Sequence, residues 1–362
     1  MIDSTFWKDK RVFLTGHTGF KGSWLSIWLN QLGANVLGYA LEPNTEPSLF
    51  YLAKVDKLVD SVIGDVRDLE LLQKTMLTFK PEIVIHMAAQ PLVRESYENP
   101  VDTYAINIMG TVNVLESVRQ CKSIMAVVNV TTDKVYENKE WIWGYREIDR
   151  LGGYDPYSNS KACSELVTSS YINSFFHPNE YEKHKLAIAT ARAGNVIGGG
   201  DWAKDRLIPD IMQAIENNDE IIIRNPNAIR PWQHVLEPLS GYLMLCEKLY
   251  VEGTRWNGAW NFGPSFNEAK NVMCIVENLL EMSCKSLKIN FNKSSVLHET
   301  NLLNLDCSKS KEKLKWKPIW DINKALMKIV EWNRNVHSGS SIYEICLKQI
   351  RDYSNEIEKA KR

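Results

Sequence analysis

The stretch Thr15-Gly16-His17-Thr18-Gly19-Phe20-Lys21-Gly22 decides how the first part of this chain folds. It follows an apolar run at residues 11–14 and opens an amphipathic segment that extends to residue 32. This order predicts a strand, a glycine turn and a helix. Such a turn lets backbone N–H groups approach a pyrophosphate, which then lies at the positive end of the helix. The spacing Gly16-x-x-Gly19-x-x-Gly22 differs from the common dinucleotide fingerprint, and glycine turns also occur far from any ligand.

Apolar runs and helical patterns alternate over the first half of the chain. The runs predict strands at residues 12–15, 35–39, 61–66, 83–87, 125–131 and 186–191. Several are continuous, which is typical of strands covered on both faces. Helical patterns lie between them, at residues 24–32, 69–79, 101–118 and 155–175. The alternation predicts an α/β fold with a doubly wound parallel sheet of the Rossmann type, whose ligands bind at the carboxyl ends of the strands.

The regular alternation ends near residue 195, where short strands and scattered helices begin. Helical patterns follow at residues 206–216, 236–249, 272–282 and 322–332. We therefore expect a dinucleotide-binding domain at residues 1–193, to which 231–258 return. Residues 194–230 and 259–350 are expected to form a smaller irregular substrate lobe, and residues 351–362 a charged tail.

Composition narrows the class of protein. The 362 residues include 43 basic and 44 acidic side chains, so no net field favours nucleic acid or a membrane surface as a partner. The seven cysteines form no C-x-x-C pair, and no metal site is predicted. Unpaired thiols in apolar segments, with no signal peptide or membrane-spanning run, predict a soluble cytoplasmic protein.

A second segment carries the chemistry. Tyr157 and Lys161 are four residues apart, so a helix places both side chains on one face. A nearby ammonium is expected to lower the pKa of a tyrosine, which is otherwise near ~10. Thr132 ends the fifth strand, where it could hold a substrate alcohol beside Tyr157. Tyr181 and Lys185 have the same spacing but lie in a polar stretch, and we interpret them as ordinary surface residues.

With these segments in hand, the chain resembles the extended short-chain dehydrogenases/reductases, and within them the nucleotide-sugar 4,6-dehydratases. Two matching stretches, Thr131–Lys134 and Tyr157–Lys161, surround the candidate catalytic residues. Further matches are Gly198-Gly199-Gly200-Asp201-Trp202 and Arg230-Pro231-Trp232-Gln233-His234, which are far more specific than the glycine turn. Other similarities occur at residues 15–22, 38–43, 86–90, 192–195, 316–318 and 329–332.

The resemblance implies a mechanism and a substrate, CDP-glucose. Tyr157 would take the proton of the sugar C4 hydroxyl while NAD+ accepts the hydride, and NADH would return it to C6 after water leaves across C5–C6. Asp133 fits the acid for the C6 hydroxyl, provided that burial raises its pKa. Lys134 stands where the dTDP-glucose enzymes carry a glutamate base. It would act either as a neutral amine that takes the C5 proton, or only as a cation that stabilises the enolate while another group serves as the base.

The remaining site residues follow from the same resemblance. NAD is expected to contact Gly16, Thr18, Gly19, Phe20, Lys21, Gly22, Asp65, Val66, Ala88, Ala89, Gln90, Asn107, Thr131, Tyr157 and Lys161. The substrate is expected to contact Gln90, Asn195, Arg206, Leu207, Arg230 and His234. A guanidinium group matches phosphate oxygens, although each arginine could equally form a structural ion pair. Glu42 is a weak signal for the ribose 2′-hydroxyl, so the preference for NAD over NADP rests on resemblance.

Three alternatives stay open. A nucleotide-sugar 4-epimerase needs Tyr157 and Lys161 but no acid–base pair for C5 and C6. A dehydratase could act on another nucleotide hexose, because no residue identifies cytosine. A non-catalytic NAD-binding protein would not need the full Thr132, Tyr157 and Lys161 set. The superfamily further suggests a homo-oligomer, a dimer or tetramer, paired through the helices at 101–118 and 155–175.

Overall fold

The computed structural model describes residues 2–265, 270–291 and 302–360. The strands are β1 (Arg11–Thr15), β2 (Asn35–Ala40), β3 (Asp60–Ile63), β4 (Ile83–His86), β5 (Ala126–Val130), β6 (Ala187–Ala193), β7 (Val196–Ile197), β8 (Ile221–Ile223), β9 (Ile229–Arg230), β10 (Gln233–His234), β11 (Gly258–Phe262), β12 (Lys270–Asn271) and β13 (Ile289–Phe291).

The α-helices are α1 (Ser4–Trp7), α2 (Phe20–Gln31), α3 (Leu49–Leu52), α4 (Leu69–Phe79), α5 (Val93–Glu98), α6 (Pro100–Tyr104), α7 (Gly110–Gln120), α8 (Pro156–Phe175), α9 (Tyr181–His184), α10 (Leu207–Asn217), α11 (Leu236–Glu252), α12 (Val272–Met282), α13 (Ile322–His337) and α14 (Ile342–Lys359). A π-helical turn, Ala105–Met109, joins α6 to α7. Among the described helices, none is both long and apolar enough to cross a membrane.

Seven strands form one parallel sheet in the order β11-β6-β5-β4-β1-β2-β3. The direction of winding reverses between β1 and β4, and ligands of such sheets bind beside this point at the carboxyl ends of the strands. The predicted doubly wound sheet is confirmed. Strands β4 and β5 are buried along their whole length, which explains their continuous apolar sequences.

Helices cover both faces of the sheet. On one face, Leu14 of β1 belongs to the same core as Trp24 and Trp28 of α2. On the other face, Phe13 packs in a core with Met76 of α4. The alternation of neighbouring β1 residues between two cores follows from the twofold periodicity of a strand.

A third core lies in the second half of the chain. It joins apolar residues of α10, β8, α12 and α13, among them Ile211, Ile223, Ile275 and Leu326. The predicted start of this lobe at residue 259 is wrong, because β11 (Gly258–Phe262) completes the main sheet beside β6.

The expected charged tail is also wrong for residues 351–359. They form the last turns of α14, in which Ile350, Tyr353 and Ile357 are buried. The Tyr353 ring lies 5.9 Å from that of Trp28 in α2. Apolar residues at helical spacing among the charges hold this segment on the core. Residues 361–362 lie outside the described part of the chain.

Candidate active site

The glycine turn brings the start of α2 against the end of β4. Gly16 has a φ of +77°, and a Cβ there would lie 2.7 Å from the Ala88 nitrogen. A Cβ on Gly22 would lie 2.0 Å from the Gly16 oxygen. Gly19 precedes α2 without a side-chain cap, so the first N–H groups of this helix lack a side-chain acceptor. The turn therefore fits a pyrophosphate, as the sequence predicts.

A cleft of about 900 Å³ opens beside this turn, between the sheet edge and the second lobe. Its volume is that of a site for a nucleotide-sized ligand. The predicted site residues that line it are Phe20, Lys21, Thr131, Thr132, Asp133, Lys134, Tyr157, Asn195, Arg206, Leu207 and Arg230.

Helix α8 carries Tyr157 into the cleft. The Asp155 carboxylate accepts a hydrogen bond from the Ser158 nitrogen at 2.9 Å, and Pro156 is the first helical residue. Both are strong signals for a helix start, and they fix the register of the residues that follow. One turn later, Lys161 is buried and its Nζ donates to the Val130 oxygen at 2.9 Å. Strand β5 and helix α8 thus meet where the triad was predicted.

The electrostatics of this pair differ from the expectation that Lys161 lowers the pKa of Tyr157. Burial raises the pKa of Tyr157 to about 12, and the neighbouring Thr132 hydroxyl opposes that shift. Burial also lowers the pKa of Lys161 to about 8, against the charge of Glu165. The four-residue spacing predicted the position of the pair, but it could not predict that Lys161 is buried and Tyr157 half-buried.

Asp133 is 1% exposed at the floor of the cleft. Its Oδ1 accepts a hydrogen bond from the Thr132 hydroxyl at 2.9 Å, whereas its buried Oδ2 has no partner among the described residues. Burial raises the pKa of this carboxyl, although the charges of Lys134 and Arg230 oppose the shift. The sequence-based condition for an acid at position 133 is therefore met.

Cations converge on the same space. Lys21, in the first turn of α2, interacts with the charges of Lys161, Arg206 and Asp133. Burial and the two cations lower the pKa of Lys21 to about 8. Arg206 donates to Asp201 at 2.8 Å. A surplus of positive charge at a helix N-terminus is suited to binding phosphate groups.

A buried ion pair lies behind the triad and was missed by sequence reasoning. Glu165 accepts from Nε and Nη2 of Arg192 at 3.0 and 2.9 Å, and both side chains are buried. It also accepts from the hydroxyls of Thr131 and Thr190, at 2.5 and 2.6 Å. The one signal in the sequence for this ion pair was that Glu165 lies one helical turn after Lys161.

His234 does not reach the cleft, so its predicted substrate contact is wrong. The ring is fully buried between Trp24 and Trp320, with centroids 6.1 and 4.8 Å away. Its Nδ1 accepts from the Leu236 nitrogen at 3.3 Å. Strand β10 sends alternate side chains to opposite sides, and His234 faces the core beneath α2.

Gln90 and Asn107 brace the edge of the site. The Gln90 amide bonds to Leu92 at both its nitrogen and its oxygen, and to the Thr103 hydroxyl at 2.9 Å. Asn107, in the π-helical turn, bonds both the nitrogen and the oxygen of Gln90 and the Ser160 hydroxyl. Such turns often accompany functional sites.

The other predicted cofactor residues follow the strand ends away from the triad. Thr18 donates to the Leu41 oxygen at 2.8 Å, and Ala88 and Ala89 follow β4. Asp65 and Val66 follow β3. The Asp65 carboxylate is held by Arg67, whose hydrogen bonds lower the pKa of Asp65 although burial acts against them.

The cleft also contains residues that sequence reasoning did not single out. Arg94 and Arg224 both pair with Asp205, at 3.3 and 3.0 Å, so an ion-pair chain links α5 to the second lobe. Gly194, directly after β6, packs against Asp133. A glycine next to the predicted Asn195 was the only sequence signal for this contact.

Known proteins place this site in a family. The model of the GDP-mannose 4,6 dehydratase family matches residues 13–329. The chain belongs to this family. It is 54% identical over 353 residues to the CDP-glucose 4,6-dehydratase of Salmonella typhimurium, covering 98% of each protein. The resemblance expected from the sequence motifs is confirmed.

Solved structures with the fold of this chain include two enzymes that act on nucleotide sugars. A UDP-glucose 4-epimerase from Stenotrophomonas maltophila superposes with a TM-score of 0.79 at 19% identity, covering 91% of this chain and 100% of that one. The dTDP-glucose 4,6-dehydratase of Bacillus anthracis gives 0.74 at 20% identity, covering 91% and 98%. At these identities the likeness concerns the fold alone.

Proposed function

We propose that this protein is a CDP-glucose 4,6-dehydratase that uses NAD and releases CDP-4-keto-6-deoxyglucose. The observation that carries the proposal is the meeting of Tyr157 and a buried, raised-pKa Asp133 in one cleft. The 54% identity to a CDP-glucose 4,6-dehydratase over nearly the whole chain supports the same reaction. An epimerase acting only at C4 would have no use for a protonated carboxyl beside the tyrosine.

The glycine turn and the uncapped start of α2 would hold the NAD pyrophosphate. Bound NAD supplies reversible hydride acceptance from the sugar C4 and hydride return to C6. A lysine ammonium has three N–H donors, and one of those on Lys161 reaches the Val130 oxygen. The other two donors would bind the nicotinamide ribose. Residues 65–66 and 88–90 would border the adenosine and ribose path.

The chain's own residues move the protons. Tyr157 accepts the proton of the C4 hydroxyl in its phenolate form, which the Thr132 hydroxyl and the charge of Arg206 favour against burial. Thr132 orients the C4 hydroxyl from the end of β5. Asp133 donates a proton to the C6 hydroxyl so that it leaves as water. Lys134 serves at C5, either as the neutral amine that removes the C5 proton or as the cation that stabilises the enolate while another group removes that proton.

The diphosphate of the substrate would lie among the cations of the cleft. Arg206 and Arg230 present guanidinium groups to it, and Asn195 and Leu207 line the same wall. Asn195 has a φ of 46°, an unusual backbone conformation that asparagine adopts more readily than most residues.

The deciding experiment is incubation of the purified protein with CDP-glucose in deuterated water, with UDP- and dTDP-glucose in parallel. The expected product is a 4-keto-6-deoxy sugar with deuterium at C5, formed fastest from the CDP sugar. A stereoisomer without deuterium would establish an epimerase instead. Faster turnover of another nucleotide sugar would overturn the assignment of the base.

We further propose a cytoplasmic homo-oligomer. All seven cysteines are free, as expected of a reducing compartment. Large apolar side chains are exposed on the two helices expected to pair, among them Val101, Met109, Leu166 and Phe175. Such a surface is typical of a subunit interface. Light scattering that gives the mass of a single chain would refute the oligomer.

A further inference from the structure

Gly194 lies directly against the catalytic carboxyl. A Cβ at this position would be 1.8 Å from Oδ2 of Asp133 and 2.1 Å from its Cγ. Side chains never approach a carboxyl so closely, so any other residue would displace Asp133 or the backbone. Gly194 is outside the left-handed region, and the steric contact alone therefore explains the glycine.

The backbone at Gly194 is held in place. The Gln233 amide donates to the Gly194 oxygen at 3.1 Å and to the Phe262 oxygen at 2.9 Å. Gln233 is 2% exposed, and it ties together the ends of the neighbouring strands β6 and β11. A buried amide with these bonds resists displacement, so a side chain at position 194 would move the carboxyl.

The contact has a chemical consequence. Gly194 covers Oδ2, which is buried and has no hydrogen-bond partner among the described residues. Water that reached this oxygen would stabilise the carboxylate form. We propose that Gly194 is a positioning residue for the acid step, keeping the Asp133 carboxyl dry and in place for the C6 hydroxyl. The inference rests on the proposed dehydratase function.

The test compares Gly194→Ala with the matched control Gly263→Ala. Gly263 directly follows β11, as Gly194 follows the paired strand β6. A Cβ on Gly263 would meet its nearest atoms at 3.5 Å, which is ordinary contact. Both variants are examined with CDP-glucose in single turnover, following reduced nicotinamide by absorbance and the 4-keto-6-deoxy product by mass.

We expect Gly194→Ala to oxidise C4 at the wild-type rate and then to accumulate reduced nicotinamide. Elimination should be about 100-fold slower, which is the cost of a misplacement of about 1 Å in an oriented reaction. Gly263→Ala should behave as wild type. In the Asp133→Asn background, the glycine substitution should slow elimination no further, because it acts through the carboxyl.

Wild-type elimination in Gly194→Ala, or an equal loss of both steps with an unchanged melting temperature, would overturn the inference. If Gly194→Ala does not fold, Gln233→Met takes its place, since it frees the Gly194 carbonyl without adding a Cβ. That variant must then also slow elimination more than oxidation. A wild-type protein that forms no product from any of the three sugars refutes the proposed function instead.

Discussion

Two charged regions lie about two helical turns apart on α8, around Tyr157 and around Glu165, and they are built in opposite ways. Around Glu165, every carboxylate oxygen is bonded to Arg192 or to a threonine hydroxyl. Around Tyr157, by contrast, Asp133 has one bonded oxygen and one without a partner among the described residues.

The difference shows in the protonation states. Burial acts to raise the pKa of Glu165, but Arg192 and the hydrogen bonds hold it below its usual value. In the cleft, burial raises the pKa of Asp133 and lowers that of Lys161 to about 8. A buried carboxylate whose oxygens all accept hydrogen bonds stays charged. A buried carboxyl with an oxygen that has no partner favours its neutral form, which can donate a proton. The first region is structural and the second is poised for chemistry.

Removing the hydroxyl of Tyr157 should have the largest effect on the rate of the reaction. Tyr157→Phe should lower kcat by about 10³-fold or more, because the base at C4 is lost. Reduced nicotinamide should no longer appear in single turnover, while the thermal unfolding temperature stays that of wild type. Turnover near the wild-type rate would show that another group takes the C4 proton.

Asp133→Asn should block the second half of the reaction, with a loss of about 10²-fold in product formation. Because Asp133 must be protonated to act as an acid, wild-type elimination should fall as the pH rises through its raised pKa. Stopped-flow measurement of product formation against pH checks both. If elimination instead becomes faster as the pH rises, Asp133 is not the acid, and the contrast drawn between the two regions is wrong.

Substitutions in the region around Glu165 should lower the stability of the fold. Glu165→Leu leaves the buried Arg192 without its carboxylate partner and should cost about 3–5 kcal/mol in the free energy of unfolding, measured in urea. The double variant with Arg192→Met should recover much of this loss. Since the folded pKa of Glu165 is lowered, its contribution is present above the unfolded pKa and is lost as the pH falls through the folded one.

The smallest effect is expected at the surface pair with the same spacing as the catalytic one. Lys185 Nζ lies 5.5 Å from the Tyr181 ring and pairs with Glu182. Tyr181→Phe should leave kcat unchanged and shift the unfolding free energy by less than about 0.5 kcal/mol. Loss of activity in this variant would mean that spacing, and not the buried setting, marks the functional pair.

Much of the fold could be predicted from periodicity. Helices α4 and α12 have the predicted bounds, and each of the six predicted strands is present within a few residues. The helix predicted at 101–118 is interrupted by the π-helical turn Ala105–Met109, and neither β11 nor the buried face of α14 was predicted. Strand β11 is short and lies among irregular segments, and α14 has a surface so charged that its buried face at Ile350 and Tyr353 was overlooked.

The amino-acid sequence by itself determined the parallel sheet, the glycine turn and the residue types at the cleft, because these depend on local spacing and on chain order. Only the tertiary structure decided which charged side chains are paired and which have a pKa shifted towards the neutral form. It buried His234 under α2, closed Gly194 over Asp133 and joined Arg192 to Glu165. These outcomes depend on contacts between residues far apart in the chain, and the dielectric environment that sets a pKa exists only once those contacts have formed.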